Sequence, residues 1–244
     1  MTDMLYGSRA RIGYCSPPFV THVFAYEFYR MVPAGVTLML TTLEVAGEYS
    51  KEAFDGSHDR ALRAARLMAG AGADVVVLGG NPINQSRGVD SLPEICARLG
   101  EEIGTRVVAS TLAQREAMER LGSRKVATAH MSGPEHDERH HRQMRNMGVE
   151  SVGVASMKYN LLDYGRVPLT AAFEMAARLK AAHPEADTIH LASAHWPTAH
   201  AIERIERELG VDVMTSQQAI LWKALRTAGI DDPIEGFGRL LREF

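Results

Sequence analysis

The chain has 244 residues, enough for a substantial core in one large or two small domains. Hydrophobic residues make up 45% and charged residues 23%, an ordinary composition, and a formal net charge of -3 with no basic run gives nucleic acid no footing. No apolar run has the length of a membrane span, residues 1–10 lack the apolar core of a signal peptide, and two cysteines make no disulfide framework, so the setting is read as reduced and cytoplasmic.

Residues 9–16 read as a first strand, stopped by Pro17-Pro18, and residues 20–31 as a helix with apolar side chains at helical spacing. A second apolar strand covers 37–43. Residues 57–72 predict a helix with Ser57 as N-cap and with Gly70 and Gly72 at its end. Residues 74–78 have the composition of a strand buried on both faces. That strand stops at Gly79-Gly80 and gives way to a polar loop carrying Asn81, Asn84, Gln85 and Ser86. Glycine there lets a ligand approach the backbone closely and permits positive φ. A helix over 91–104 and a short strand over 106–110 follow.

The order then restarts. A helix is predicted over 111–122, a strand over 125–130, a polar helix over 133–147 and a strand over 151–155. A helix over 170–182 leads to a strand over 187–193 that ends at Ala194-His195-Trp196-Pro197. A helix over 198–209, a strand over 212–216, a helix over 217–228 and a tail over 229–244 close the chain. Strands alternating with helices predict parallel α/β architecture. The pattern runs twice, with its break near Ser110. We expect two similar lobes, each a parallel sheet flanked by helices, with residues 1–110 plus 230–244 in the first and 111–229 in the second. Ligands of open α/β sheets bind beyond the carboxyl ends of the strands, so the site is expected in the cleft between the lobes.

Several stretches, in order, carry a likeness to a known group. They are Ile12-Gly13 with Pro17-Pro18, Val76-Val77-Leu78-Gly79-Gly80 with Arg87-Gly88, and Lys125 to His130. Leu191-Ala192-Ser193-Ala194, Glu203 to Val211 with Trp222, and Gly236-Phe237-Gly238-Arg239-Leu240 continue the series. Together they resemble the aspartate/glutamate racemase superfamily, and within it the arylmalonate decarboxylases and maleate cis-trans isomerases. The resemblance implies a cofactor-independent decarboxylase or isomerase acting on a small carboxylate or dicarboxylate, such as a malonate or maleate derivative. It also implies no metal and a homo-oligomer. The family's cysteine positions align with Gly80 and Ala194, and its tyrosine after the second-lobe strand aligns with His130.

With no thiol at either position, other groups become candidates. His195 stands at a strand end, and histidine transfers protons near neutral pH. His130 ends its strand, and Cys15 ends the first strand as a thiol facing the cleft. Trp196 is expected to wall the site from water. Glu44 is a candidate base or substrate contact. Backbone N–H groups at Gly80-Asn81 and Ala194-His195, near predicted helix starts, suit a carboxylate. Ser16, Pro17, Asn81, Asn84, Ser193 and Ala194 complete the binding set. Two further readings stand beside this one. His130, His136, His140 and His141 form a cluster in which His136 and His140 have the i, i+4 spacing of metal ligands, which would serve a metal-assisted hydrolase or lyase. Loss of both thiols would also suit a carboxylate-binding protein without turnover.

Overall fold

A computed structural model describes residues 6–45, 51–86 and 88–244. Ala46-Gly47 and Arg87 lie outside the described residues, so the Arg87-Gly88 motif is placed only in part. The first half contains β1 (Ala10–Ser16), α1 (His22–Met31), β2 (Val36–Thr42), α2 (Lys51–Gly70), β3 (Val75–Leu78), α3 (Asn81–Gln85), α4 (Leu92–Ile103) and β4 (Arg106–Ala109). The second contains α5 (Ser110–Leu121), β5 (Lys125–His130), α6 (Asp137–Asn146), β6 (Glu150–Ser156), α7 (Ala171–Ala182), β7 (Thr188–Ala192), α8 (Ile202–Leu209), β8 (Asp212–Thr215), α9 (Ser216–Ala228) and α10 (Arg239–Glu243).

Two four-stranded parallel sheets result, in the orders β2-β1-β3-β4 and β6-β5-β7-β8. The two orders are the same topology repeated, as the doubled sequence pattern predicts. In each lobe an aspartate pins the start of the third strand to the start of the first. Asp74 accepts from the Arg11 N–H at 2.7 Å, and Asp187 accepts from the Arg124 and Lys125 N–H groups at 3.1 and 3.0 Å. β3 is entirely buried, which is why Val75 to Leu78 show no polar alternation. The chain leaves β1 to one side for β2 and returns on the other for β3, and β5 is flanked by β6 and β7 likewise. Each sheet therefore has a topological switch point at its carboxyl edge.

Several local expectations are corrected. Ser57 is not an N-cap; it lies inside α2, where its Oγ accepts from Arg60 at 2.9 Å. The loop after Gly80 opens with the five-residue α3, which Pro82 starts well because proline's missing N–H is not needed in a first turn. The polar helix is split: Pro134–His136 form a 3-10 turn and α6 starts at Asp137. The tail touches both halves. Asp232 pairs with Arg9 ahead of β1, and α10 packs against α5, α9 and β8.

Candidate active site

The carboxyl ends of the two central strand pairs surround one cavity of about 140 Å³. Cavities near 150 Å³ accept a benzene-sized guest. Pro17 and Pro18 reach it from the end of β1, residues 80–83 from β3, residues 130–132 from β5 and residues 192–195 from β7. Apolar lining comes from Val45, Phe54, Ile83, Leu161 and Ile220. α6 contributes a polar wall of Arg139, His140 and Gln143.

His130 is the last residue of β5 and is 1% exposed. Its Nε2 lies 2.8 Å from Asp137 Oδ1 at the start of α6. An ionised carboxylate only accepts, so Nε2 carries the hydrogen and Nδ1 is left to the site. The His130 ring stacks on His140 with centroids 4.0 Å apart. Burial lowers the His130 pKa below its ordinary 6.5, with Asp137 opposing and Arg139 and His136 adding to the drop. Burial also pushes His140 well below the ordinary range.

His195 lines the cavity as well, but its ring is held. Nε2 lies 3.2 Å from Ser16 Oγ, across the lobes, and burial pushes its pKa down to about 3. Ser16 donates in turn to the Pro18 carbonyl at 3.2 Å. The loop after β7 is bonded to α9 and to itself: Ser193 N–H donates to Ser216 Oγ and His195 N–H to Ser193 Oγ, both at 3.1 Å. Ser193 has φ 142, a strained value for a side-chain-bearing residue. The expected carboxylate nest at Ala194-His195 is thus corrected in part, since the His195 N–H is already bonded. At Gly80-Asn81 the N–H groups open α3 without intrahelical acceptors.

The remaining predicted residues divide. Pro17, Gly80, Asn81, Ser193 and Ala194 line the cavity; Cys15, Ser16, Glu44, Asn84 and Trp196 do not. Cys15 points to the α2 side of the first sheet, fully buried, and burial raises its thiol to about 12, so the reactive-thiol expectation is corrected. Its neighbour Tyr14 faces the cavity instead, because successive strand residues take opposite faces. Glu44 is exposed, while Val45 next to it turns in. Trp196 is 0% exposed and belongs to the second-lobe core, so it does not wall the site. Asn84 donates to the Leu78 carbonyl and to Ser110 Oγ at 3.1 and 3.0 Å, which ties down the end of β3. Asn81 is locked to the Gln114 amide by bonds of 2.9 and 3.1 Å, and its carbonyl also accepts from Thr111 at 3.0 Å.

Arg139, Gln143, Gln114, Tyr14 and the hydroxyl pair Ser132–Tyr164, 3.0 Å apart, line the cavity without having been expected there. The metal reading is corrected. His130 is engaged by Asp137 at 2.8 Å and His141 by Ser151 at 2.9 Å. Among the described residues, no group of three or more His, Cys, Asp and Glu is arranged to hold a metal ion.

The fold and the sequence both resemble known proteins. The structure matches a liganded arylmalonate decarboxylase variant, with one glycine changed to cysteine and one cysteine to serine, at TM-score 0.86 and 26% identity, over 96% of this chain and 100% of that one. It matches the maleate isomerase of Pseudomonas putida S16 at TM-score 0.83 and 18% identity over 96% and 98% of the two chains, a likeness of fold. In sequence, the arylmalonate decarboxylase of Bordetella bronchiseptica is 28% identical over 203 residues, 81% of this chain and 83% of that protein. A family model for arylmalonate decarboxylase matches residues 12–241, and the chain belongs to that family.

Proposed function

We propose that this protein is a cofactor-independent decarboxylase of a small malonate-type dicarboxylate, bound in the cavity between the two sheets. The bond from the α-carbon to one carboxylate breaks, CO2 leaves, and the electron pair passes into an enediolate on the retained carboxylate. His130, in its protonated form, gives a proton to the α-carbon; Asp137 is the positioning residue that fixes its tautomer and, being partly exposed, links it to solvent. His195, held neutral against Ser16, orders the β7 loop in this reading. The apolar lining strips water from the departing carboxylate, a contribution whose size is contested. The observation that carries the reading is His130, buried at the end of β5 beside apolar lining and paired with the partly exposed Asp137, in a chain of this family.

The setting is read as cytoplasmic and the partner as a small-molecule carboxylate. No helix among the described residues is long and apolar enough to cross a membrane. A second reading, carboxylate binding without turnover, is favoured by one feature: Gly80 and Ala194 place no titratable side chain at the ends of β3 and β7.

Proton NMR in D2O with phenylmalonate, methylmalonate and maleate tests both. CO2 loss with deuterium entering the product supports the decarboxylase, and Asp137→Asn should then lower kcat by ~10- to 100-fold. Because the His130 pKa lies below 6.5, the protonated fraction falls as pH rises, and kcat should decline through and above neutrality. Cis-trans conversion without carbon loss would move the assignment to an isomerase. Binding with no turnover of any of the three would favour the second reading.

A further inference from the structure

α6 opens Asp-Glu-Arg-His-His-Arg and would be expected to lie in solvent, yet His140 is 8% exposed and lines the cavity. One face of its ring is covered by His130, with centroids 4.0 Å apart and planes 15° from parallel. Its Nδ1 is buried without a hydrogen-bond partner among the described residues. Nε2 is not closed off in this way, and no hydrogen bond among the described residues occupies it. A leucine or phenylalanine would cover His130 without the cost of an unmatched ring nitrogen, so packing does not account for an imidazole here. A neutral imidazole carries its hydrogen on one nitrogen only. On Nδ1 that hydrogen would be a buried donor with no acceptor; on Nε2 it is open to a ligand. The ring is held neutral, because burial opposes its charge and the groups around it, His130, Arg139, His190 and His136, are all bases or cations.

We propose that His140 is a ligand-binding residue whose Nε2–H, on an uncharged ring, donates to an oxygen of the carboxylate that the substrate keeps. The hydrogen bond itself needs no decarboxylation; its part in turnover rests on the decarboxylase reading. When the C–C bond breaks, its electron pair makes the retained carboxylate more negative, so a fixed donor binds the enediolate more tightly than the ground state. A neutral imidazole suits that step. Its hydrogen bond to a charged oxygen is a strong one, and its N–H is too weak an acid to give up the proton. The negative charge therefore stays on the substrate until the α-carbon takes a proton, whereas an imidazolium in this place would protonate the oxygen. The site accordingly takes acids of the type R–CH2–COO⁻ as products, with R against the apolar lining.

Calorimetric titration of the purified chain with phenylacetate, together with nitrogen NMR of histidine-labelled protein, tests the donor. The spectrum should show His140 neutral with its hydrogen on Nε2 from pH 6.5 to 8, and phenylacetate should move that resonance. His140→Phe keeps a flat ring on His130 but has no donor, and should weaken phenylacetate by ~10-fold or more. His140→Gln returns an N–H without an imidazole and should recover part of the loss. A packing role would rank the two the other way, with Phe near the wild type and Gln worse. That ranking, a hydrogen on Nδ1, an imidazolium across the range, or no binding of phenylacetate by the wild type would overturn the proposal. Should His140→Phe fail to fold, His140→Leu takes its place in the same comparison. Phenylacetate binding that depends on His140, without CO2 release from phenylmalonate, would keep the donor and overturn the decarboxylase. CO2 release with phenylacetate affinity indifferent to His140 would do the reverse.

Discussion

Gly80 sits at φ 89, and a Cβ built there would lie 2.6 Å from Pro17 Cγ and 3.1 Å from Ile83 Cδ1. Both the backbone and the space call for glycine. Gly80→Ala should cost ~1–3 kcal/mol, and at this chain length each kcal/mol lowers Tm by ~2–4 °C. A thermal melt checks it, and an unchanged Tm would mean that Pro17 gives way freely. The two thiols make a second residue-scale case. Burial raises Cys15 to about 12 and Cys96 to about 11, so thiolate is scarce at neutral pH and access is closed. Iodoacetamide should leave the native chain unlabelled and its turnover intact, and should label both thiols in denaturant; native labelling at Cys15 would contradict the burial argument. At this scale the sequence was legible to within one residue and no closer. It located the ends of β1 and β2, but whether Cys15 or Tyr14, and Glu44 or Val45, faces the cavity depends on the parity of the strand and the twist of its exit. Composition carries neither.

At the scale of elements, α1 reaches across to the second lobe through Glu27. Its Oε1 accepts from the Thr198 and Ala199 N–H groups at 2.8 and 2.9 Å, capping the turn that leads into α8. Burial raises the Glu27 pKa from 4.5 to about 7, with those two N–H bonds opposing. A folded pKa above the unfolded one means the group favours folding fully below pH 4.5 and loses that contribution as pH rises through 7, a change on the order of 3 kcal/mol. Gln cannot ionise but keeps the cap. Subtracting the Tm of Glu27→Gln from that of the wild type at each pH from 4.5 to 8 should therefore give a difference that falls steadily; a flat difference would remove Glu27 as the source. The element order itself was readable, because strands buried on both faces and amphipathic helices leave strong apolar patterns, and residues 125–130 match β5 in both bounds. α3 was missed because five residues are too few to show helical periodicity. The cavity face of α6 was missed for another reason: Arg139 and Gln143 look the same in sequence whether they face water or a ligand.

At the scale of the molecule, the two lobes repeat one topology and each has an apolar cluster of its own, but a third cluster is shared between them. One apolar cluster runs from Ile12, Phe24 and Val77 of the first half through Met118 and Met144 to Met214 and Trp222 of the second. α9 lies at its centre, packed on β1, β3 and β4 on one side and on β7 and β8 on the other. Neither half can bury its side of this cluster alone. The chain should therefore unfold in one step, and scanning calorimetry should give a single transition whose calorimetric and van't Hoff enthalpies agree. Trp222→Ala removes a 4% exposed ring from the shared cluster and should cost ~3–5 kcal/mol. Its effect on the shape of the melt is the sharper test. If the core is one unit, the variant's transition moves down in temperature and stays single. If the repeat were two domains joined by an interface, the same substitution would split the melt, with the first sheet holding while the second gave way. The Ser16–His195 and Glu27–Thr198 bonds cross between the same halves beside the cavity. A molecule that melts as one would keep the two switch points at a fixed separation, which a binding cavity assembled from both sheets requires.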